Sequence, residues 1–347
     1  MKKCFVAVSG GVDSAVALLL LQKQGFSTEG ITMIPFGKEL VPAFSGSEAE
    51  DARALCESLS VPHHLIDASS EFYKTVIGDF ISAYQSGETP NPCVVCNRYL
   101  KFGLLADYSF ENGADFYATG HYVRVKDFGG RRVITKAKDE GKDQSYVLWS
   151  LTGEQISKFI APLGEYSKKE VREIANDCGF AVASKSDSQD ICFIPDGDYR
   201  AFLDRVSDIS DKAGDFVLDG KKIGRHNGQR SYTIGQRKGL GIAYSEPLYV
   251  IGRDMAKNFV ILGRNNELFT KSFTVRSANF SGCDDPSGDF RCEVKIRYRA
   301  KEVKCRLIPL EGGRFQVETD EPVRAVTPGQ SAVFYDGEIL LGGGIIE

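Results

Sequence analysis

The chain has 347 residues, of which 42% are hydrophobic and 26% charged, a composition typical of a globular protein with two or three domains. No apolar run reaches the roughly 18 residues that a membrane-spanning helix needs, so we expect no membrane partner. The segment Met1-Lys2-Lys3 leads straight into an apolar strand instead of a signal peptide, which predicts a cytoplasmic protein. The nine cysteines, an odd number, argue against a disulfide scaffold.

The first predicted strand, residues 3–8, runs into a glycine turn with the sequence S-G-G-V-D-S at residues 9–14, and a helix follows over residues 14–24. A strand, a tight turn and a helix N-terminus form a phosphate site, because free N–H groups and the helix dipole point at the anion. We expect the two glycines to let the main chain approach the phosphate and the two serines to add hydroxyl donors. The turn lacks the lysine of a Walker A motif and the spacing of the dinucleotide fingerprint. It resembles the loop of the N-type ATP pyrophosphatases, which split ATP between its α- and β-phosphates.

Strands and helices alternate up to about residue 120. The further predicted strands are residues 30–34, 63–66 and 115–119, and the further predicted helices are residues 47–60, 70–85 and 97–112. This order predicts an α/β fold, a doubly wound parallel sheet with helices on both faces. Ligands bind at the carboxyl ends of such strands, so we expect the glycine turn, Met33 and Gly120 to meet there, with the Met33 backbone contacting an adenine.

The rest of the chain predicts a hairpin at residues 122–138, a short helix at 199–206 and Gly-rich short strands up to residue 264. Short strands are then predicted at residues 290–298, 303–309, 314–319, 331–335 and 339–341. Such a series suggests a small closed β-barrel. We therefore predict three domains: a catalytic domain over residues 1–197, a small mixed/β central domain over 198–267 and a C-terminal β-barrel over 268–347.

A basic stretch lies in the predicted central domain, although the net charge of the whole protein is −4. Residues 221–245 contain no acidic side chain and six basic ones, namely Lys221, Lys222, Arg225, Arg230, Arg237 and Lys238. A local basic stripe on an acidic protein suits a specific polyanionic partner. A solvated loop would have the same composition, and charge alone does not separate these alternatives.

Cys93 and Cys96 form a C-x-x-C pair in a proline-punctuated loop just before the helix predicted from residue 97. A thiol at a helix N-terminus is expected to have a lowered pKa. A redox dithiol, half of a zinc site, a sulfur-transfer site and two merely buried cysteines all have this spacing. A zinc site would need two more ligands, and the sequence has no second C-x-x-C and no histidines at finger spacing.

Taken together, the motifs resemble one family over nearly the whole chain, the tRNA-specific 2-thiouridylases, which replace O2 of the wobble uridine by sulfur. The matching segments are S-G-G-V-D-S at 9–14, T-P-N-P-C-V-V-C-N at 89–97, A-T-G-H-Y at 118–122, K-D-Q-S-Y at 142–146, I-C-F-I at 191–194, G-Q-R-K-G-L-G at 235–241 and T-P-G-Q-S-A-V-F-Y at 327–335. The implied fold is an adenine nucleotide α-hydrolase-like sheet, then a tRNA-binding central domain and a barrel.

The resemblance implies that ATP and Mg²⁺ adenylate the uracil O2, and that sulfur carried by Cys192 as a persulfide then displaces AMP. Cys96 is implied as the nucleophile that frees or resolves this sulfur. The implied ATP site consists of Ala7, Val8, Ser9, Gly10, Gly11, Val12, Asp13, Ser14, Met33 and Gly120. Asn91, Pro92 and Cys93 are implied to line the flipped base. Implied tRNA contacts are His121, Asp143, Gln144, Ser145, Arg297, Tyr298 and Gln330. The implied partners are the tRNAs for Lys, Glu and Gln and a sulfur donor, either a cysteine desulfurase or a persulfide relay.

The sequence departs from the family pattern at one position, where Cys93 replaces an aspartate to which acid–base work is assigned. Together with Cys96 and Cys192 it makes a set of three thiols, which also matches the ligands of a [4Fe–4S] cluster with one iron open for hydrosulfide. The persulfide and the cluster both remain open. Two rival functions are another ATP pyrophosphatase, such as argininosuccinate or GMP synthetase, and a non-catalytic RNA-binding module. The first would need neither the three thiols nor a barrel, and the second would release no AMP.

Overall fold

The computed structural model describes residues 1–42, 46–184, 191–207 and 212–347. Within these ranges no helix is long and apolar enough to cross a membrane. The strands are β1 (Lys3–Ala7), β2 (Ser27–Ile34), β3 (His63–Asp67), β4 (Phe116–Ala118), β5 (Arg124–Phe128), β6 (Arg131–Thr135), β7 (Phe159–Ile160), β8 (Gly214–Leu218), β9 (Lys221–His226), β10 (Tyr249–Asp254), β11 (Phe259–Gly263), β12 (Phe269–Phe280), β13 (Phe290–Lys295), β14 (Val303–Leu310), β15 (Arg314–Arg324), β16 (Ser331–Asp336) and β17 (Ile339–Ile346). The α-helices are α1 (Val12–Lys23), α2 (Ser47–Ser58), α3 (Ser69–Phe72), α4 (Gly78–Gln85), α5 (Pro92–Cys96), α6 (Leu105–Glu111), α7 (Gly153–Ser157), α8 (Lys168–Asp177) and α9 (Tyr199–Val206).

The N-terminal half is built on a parallel sheet with the strand order β3-β2-β1-β4-β7. One apolar cluster packs α1, α2 and α8 against the sheet, and a second one includes Phe5, Phe102 and Tyr117. The predicted doubly wound α/β fold is confirmed. The second strand begins three residues earlier than predicted, because the charge of Glu29 is compensated by Lys3 at 2.7 Å and its carboxylate also lies 2.6 Å from His64 Nε2.

Two long helical segments on this sheet contain π-helical turns. Tyr73–Ile77 joins α3 to α4, and Asn97–Leu104 joins α5 to α6. The second segment begins at Pro92 and not at the predicted residue 97, since a proline at the first helical position has the required φ and needs no hydrogen-bond partner. The C-x-x-C pair therefore lies within a helix and not in a loop before it.

The C-terminal part is the predicted closed barrel, in which β12, β15, β14, β13, β16 and β17 pair in this order and β17 returns to β12. The prediction missed β12, because its sequence mixes polar and apolar residues without a clean alternation. The predicted hairpin is confirmed as β5 and β6, but it extends the barrel sheet, since Thr135 of β6 pairs with Ile339 of β17. The hairpin, which follows β4 of the parallel sheet along the chain, thus links that sheet to the barrel.

The central part forms a four-stranded sheet with the order β10-β11-β8-β9 and its own apolar core. The basic stripe is only partly a surface feature. Arg230 is buried and lies 3.4 Å from Asp204, whereas Lys221, Lys222, Arg225, Arg237 and Lys238 are exposed. The bounds given above for the three domains stay a prediction.

Candidate active site

The glycine turn connects β1 to α1 at the carboxyl end of the central strand of the parallel sheet. Gly10 has a φ of +69°, and a Cβ atom there would collide with the carbonyl oxygen of Glu48. Gly11 is the N-cap of α1 and has no side chain to cap it, so the N–H groups of the first turn are left for a ligand. This cradle fits the phosphates of ATP.

The two serines of the turn hold its shape. The Ser14 hydroxyl donates to the carbonyl oxygen of Gly11 at 3.1 Å and accepts from the Ser9 backbone N–H at 3.1 Å. In this conformation the Ser14 hydroxyl is used inside the turn, and its donation to a phosphate stays a prediction. The close approach of Glu48 is a further reason for a glycine at position 10, and the approach of the main chain to a phosphate stays a prediction.

Two further strand ends meet the turn, as the sequence predicts. A Cβ atom on Gly120, shortly after β4, would lie 2.9 Å from the backbone nitrogen of Ser14. The Thr32 hydroxyl in β2 donates to the carbonyl oxygen of Val8 at 2.6 Å. This bond holds β2, with Met33 next in sequence, beside the strand that enters the turn. The assignment of these residues to ATP stays a prediction.

Asp13, in the first turn of α1, is held by two side chains from distant parts of the chain. The Tyr122 hydroxyl donates to Asp13 Oδ1 at 2.7 Å, and the Lys168 ammonium donates to both carboxylate oxygens at 2.7 and 2.8 Å. Sequence reasoning missed Lys168. The S-K-K-E signature of a capping box marks the start of α8, but nothing in the sequence indicates that this helix begins beside Asp13.

The three thiols of the predicted sulfur site lie in one region. Cys93 and Cys96 are one turn apart on α5. Cys192 is followed by Phe193 and Ile194, which are buried in the same apolar cluster against which Cys96 packs. The thiols are also close enough for Cys93 and Cys96 to act on Cys192 electrostatically. The structure thus gathers the side chains that sulfur transfer needs, and their catalytic roles stay a prediction.

Burial controls the protonation of these thiols. It raises the pKa of Cys93 and Cys96, and it raises the pKa of Cys192 to about 12 although this residue lies in an exposed turn. The positive charge of Lys101 lowers all three pKa values, but by less. The predicted lowering of the pKa at a helix N-terminus is therefore wrong, because lost hydration outweighs the positive charge of Lys101.

The same thiols are the predicted ligands of a [4Fe–4S] cluster. Cluster iron binds cysteine thiolates, and iron binding itself releases the thiol protons. In the part of the chain that the structure describes, no three His, Cys, Asp or Glu side chains are arranged to hold a metal ion. The residues offer the right donor atoms but not in a ligating arrangement, and we derive no step through a cluster.

Family models match three parts of the chain: a tRNA methyl transferase HUP domain over residues 2–196, a tRNA methyl transferase PRC-barrel domain over residues 200–264 and an aminomethyltransferase beta-barrel domain over residues 270–346. The tRNA-specific 2-thiouridylase MnmA of Pelobacter propionicus is 46% identical over 99% of this chain and 97% of its own length. The proteins of the same name from Syntrophotalea carbinolica and Acetivibrio thermocellus are 45% and 42% identical, over 99% and 100% of this chain and 98% and 99% of their own lengths. The chain belongs to the tRNA-specific 2-thiouridylase family.

These matches confirm the family resemblance that the motifs predict, and they cover nearly the whole chain. Among solved structures, the U34-tRNA thiolase NcsA from Methanococcus maripaludis with its [4Fe-4S] cluster is 21% identical over 60% of this chain and 64% of that chain. The TM-score between the two structures is 0.36.

Three predicted tRNA contacts of this 2-thiouridylase, Asp143, Gln144 and Ser145, are engaged inside the protein. The Asp143 carboxylate accepts from the Ser145 hydroxyl at 2.6 Å and from the Ala137 backbone N–H at 3.0 Å. The side-chain oxygen of Gln144 accepts from the Tyr122 backbone N–H at 2.9 Å. These side chains brace the segment after β4, which also carries the hydroxyl that binds Asp13. Contact with tRNA stays a prediction for them.

His121 lies in the same segment and is buried as well. Its Nδ1 is 2.7 Å from the Thr119 hydroxyl, and its ring lies 6.0 Å from that of Phe102. Burial, with the charge of Lys101 as a smaller cause, holds its pKa well below the usual range, so the imidazole is neutral at pH 7. A neutral, enclosed ring is poorly suited to bind a phosphate, and its predicted tRNA contact would have to be made to a base.

The predicted base-binding loop is attached to the barrel. Asn91 is the N-cap of α5, and its side chain makes no cap hydrogen bond, while Pro92 is buried at the first helical position. The Gln330 side-chain amide donates to the carbonyl oxygens of Thr89 at 3.0 Å and Pro90 at 3.2 Å. The backbone of the loop is therefore held by Gln330, whereas the side-chain amide of Asn91 makes no cap hydrogen bond.

Two more predicted tRNA contacts of the barrel also join parts of the protein. The Tyr298 hydroxyl donates to the carbonyl oxygen of Asp143 at 2.9 Å. Arg297 Nη2 donates to the carbonyl oxygens of Ile234 and Ala325 and to the Thr327 hydroxyl. In this conformation these side chains stabilise the junction between the parallel sheet, the central sheet and the barrel.

Proposed function

We propose that this chain catalyses the ATP-dependent 2-thiolation of the wobble uridine of tRNA. The uracil O2 attacks the α-phosphate of ATP, pyrophosphate leaves, and sulfur then displaces AMP from C2. The main support is the combination in one chain of a phosphate-binding turn with an apolar cluster that holds Cys96 and the residues beside Cys192. Relatives at 42% to 46% identity are named tRNA-specific 2-thiouridylases.

The nucleotide half of the reaction is assigned to the first turn of α1. Its N–H groups would bind the phosphates, and Gly120 would let the segment after β4 approach them. ATP supplies the AMP group that turns O2 into a leaving group. Since the described residues offer no cluster of three metal ligands, we expect Mg²⁺ to be held mainly by the triphosphate.

The sulfur half is assigned to Cys192 and Cys96. Cys192 would carry a persulfide, loaded by a cysteine desulfurase or a persulfide relay. The Cys96 sulfur attacks the inner sulfur of Cys192, a disulfide forms between the two residues, and hydrosulfide leaves to attack C2 of the uridine. An external thiol then returns two electrons to the disulfide. Direct transfer from the persulfide, resolved afterwards by Cys96, has the same balance. Because burial holds Cys96 protonated, we expect tRNA binding to open this cluster.

The test is a reconstituted reaction of the full chain with ATP, Mg²⁺, a tRNA for Glu and a sulfide donor. AMP, pyrophosphate and 2-thiouridine should form in equal amounts and only when tRNA is present. AMP without 2-thiouridine would instead indicate another adenylating enzyme, and no AMP at all would indicate an RNA-binding module.

Cysteine variants test the assigned roles. Cys96→Ser and Cys192→Ser should abolish 2-thiouridine formation with a persulfide donor. A single turnover of tRNA-dependent pyrophosphate release should persist, because AMP then stays bound to O2 of the uridine. Cys178→Ser is the matched control, because Cys178 is exposed and lies outside the thiol cluster. Retained 2-thiouridine in either active-site variant would contradict the assignment of that residue.

The tRNAs for Lys, Glu and Gln, a cytoplasmic site of action and the carrier of the sulfur are further parts of the proposal. Nucleoside mass spectrometry of tRNA from cells lacking the gene identifies the substrates. Iron counting after anaerobic purification separates the two carriers. A colourless, iron-free and active protein excludes the [4Fe–4S] cluster, whereas iron at cluster stoichiometry with a visible absorbance would replace the persulfide.

A further inference from the structure

A largely buried lysine side chain from α8 reaches the glycine turn. The Lys168 side chain is only 12% exposed and binds both oxygens of Asp13, whereas the neighbouring Lys169 is 85% exposed and lies 3.7 Å from Glu173. An ammonium group is rarely buried unless a partner compensates it. The two adjacent lysines thus have different roles, although they look alike in the sequence.

The backbone of Lys168 is fixed from both sides. Ser167 and Glu170 form a reciprocal capping box at the start of α8. The Lys168 backbone N–H donates to Asp139 Oδ2 at 2.9 Å. With the main chain held in this way, the side chain extends toward the start of α1, where its ammonium also lies 5.8 Å from the centre of the Tyr122 ring.

The pair lies where a triphosphate would bring its negative charge. Asp13 is the second residue of α1, in the turn whose N–H groups face the expected phosphates. A carboxylate at this place repels an anionic ligand unless its charge is compensated. Lys168 supplies that compensation, and the Tyr122 hydroxyl keeps the carboxylate in one orientation.

We propose that Lys168 is a positioning residue for the nucleotide: it neutralises Asp13 and holds the turn in the form that accepts a nucleoside triphosphate. The inference rests on the ATP site of the proposed function. It predicts that loss of the positive charge weakens the binding of ATP, whatever happens at the thiols.

Equilibrium binding of ATP with Mg²⁺ to the full chain, in the absence of tRNA, tests this role. Lys168→Met should weaken ATP binding by about tenfold or more, because the uncompensated carboxylate is left beside the phosphates. Lys168→Arg should stay within about threefold of the wild type. Lys169→Met, the matched control, should bind ATP like the wild type.

A double variant distinguishes charge compensation from a merely structural role. In Asp13→Asn with Lys168→Met there is no charge to compensate, so ATP binding should recover to within about threefold of the wild type. The double variant also keeps the test valid if Lys168→Met alone does not fold. Wild-type affinity in a folded Lys168→Met variant, or no recovery in a folded double variant, would overturn the proposal. If the wild type itself binds no ATP, the proposed function fails at its nucleotide half and Lys168 has no ATP to position.

Discussion

The side chain of Gln330 in the barrel donates a 3.0 Å hydrogen bond to the carbonyl oxygen of Thr89, at the start of the loop that leads to α5. The Thr89 N–H in turn donates to the carbonyl oxygen of Pro328 at 2.8 Å. Between these bonds, Gly329 has a φ of +88°, and a Cβ atom on it would lie 2.7 Å from that of Glu88. The loop that carries Cys93 is therefore positioned by the far end of the chain.

Gln330→Ala should impair the reaction without affecting the nucleotide site. Two hydrogen bonds to the loop are lost, each worth about 1 kcal/mol, so tRNA-dependent AMP formation should fall by about thirtyfold while ATP affinity is unchanged. Gln316→Ala is the control, because Gln316 bonds to Ser272 within the barrel. Equal effects of the two variants, or a loss of ATP affinity in Gln330→Ala, would contradict this role.

Gly10→Ala should disturb the turn more than a second glycine substitution with similar backbone strain. Gly25 also has a positive φ, of +85°, but a Cβ atom there meets nothing within 4 Å. Both variants should lose about 1 to 3 kcal/mol of stability to backbone strain, and only Gly10→Ala should also lose ATP binding, because it must move the Glu48 carbonyl. Thermal unfolding and ATP titration of both variants measure the difference. Intact ATP binding in Gly10→Ala would show that the turn tolerates the collision.

Alkylation should rank the cysteines by the state of their thiols. Cys178 and Cys192 are both exposed, but the loss of hydration around the Cys192 sulfur raises the pKa of this thiol to about 12. Since the thiolate is the nucleophile, iodoacetamide at about pH 7.5 should modify Cys192 at least about tenfold more slowly than Cys178. Peptide mass spectrometry over time gives the rates, and unfolding in urea should make them equal. Fast modification of Cys192 in the folded protein would mean that the pKa of its thiol is not raised.

The free energy of unfolding should fall at alkaline pH, because Cys4 and Cys56 ionise more readily in the unfolded chain than in the folded one. Burial raises their pKa from 9.0 to about 12 and about 11. The unfolded chain releases both protons near pH 9, but the folded chain retains them, so the stability that they contribute is present below pH 9 and is lost as the pH rises toward the folded values. The expected slope is at most about 1.4 kcal/mol per pH unit for each thiol.

Urea unfolding at several pH values checks this slope. A variant with both Cys4→Ala and Cys56→Ala should be less stable at pH 7, because two buried side chains are truncated, but its stability should fall less steeply above pH 9. Parallel curves for the variant and the wild type would assign the alkaline loss to other groups.

Local patterns in the sequence predicted the parallel sheet, the glycine turn and the closed barrel. They succeed where one property dominates, such as the apolar run that enters the turn or the series of short strands after residue 268. The meeting of Gly120 with the turn followed from topology alone, because parallel strands end at the same edge.

The sequence did not predict pairings between distant residues. The capping box marks the start of α8, but only the packing of α8 on α1 brings Lys168 to Asp13. The pKa values of the thiols are raised, whereas the prediction was that they are lowered. The reason is that a helix N-terminus can be recognised in the sequence, but the burial of a side chain cannot. Asp143 and Ser145 look like surface residues by composition, yet they satisfy each other in the interior.

The hairpin of β5 and β6 has a consequence for how this protein is made. During synthesis, β6 emerges early, but its partner Ile339 lies in the last strand of the chain. Trp149 likewise awaits Ser331, whose hydroxyl accepts its indole N–H at 2.9 Å. The nascent N-terminal half must therefore leave the ribosome with an unpaired strand edge, and this edge stays open until the segment around residue 339 has emerged.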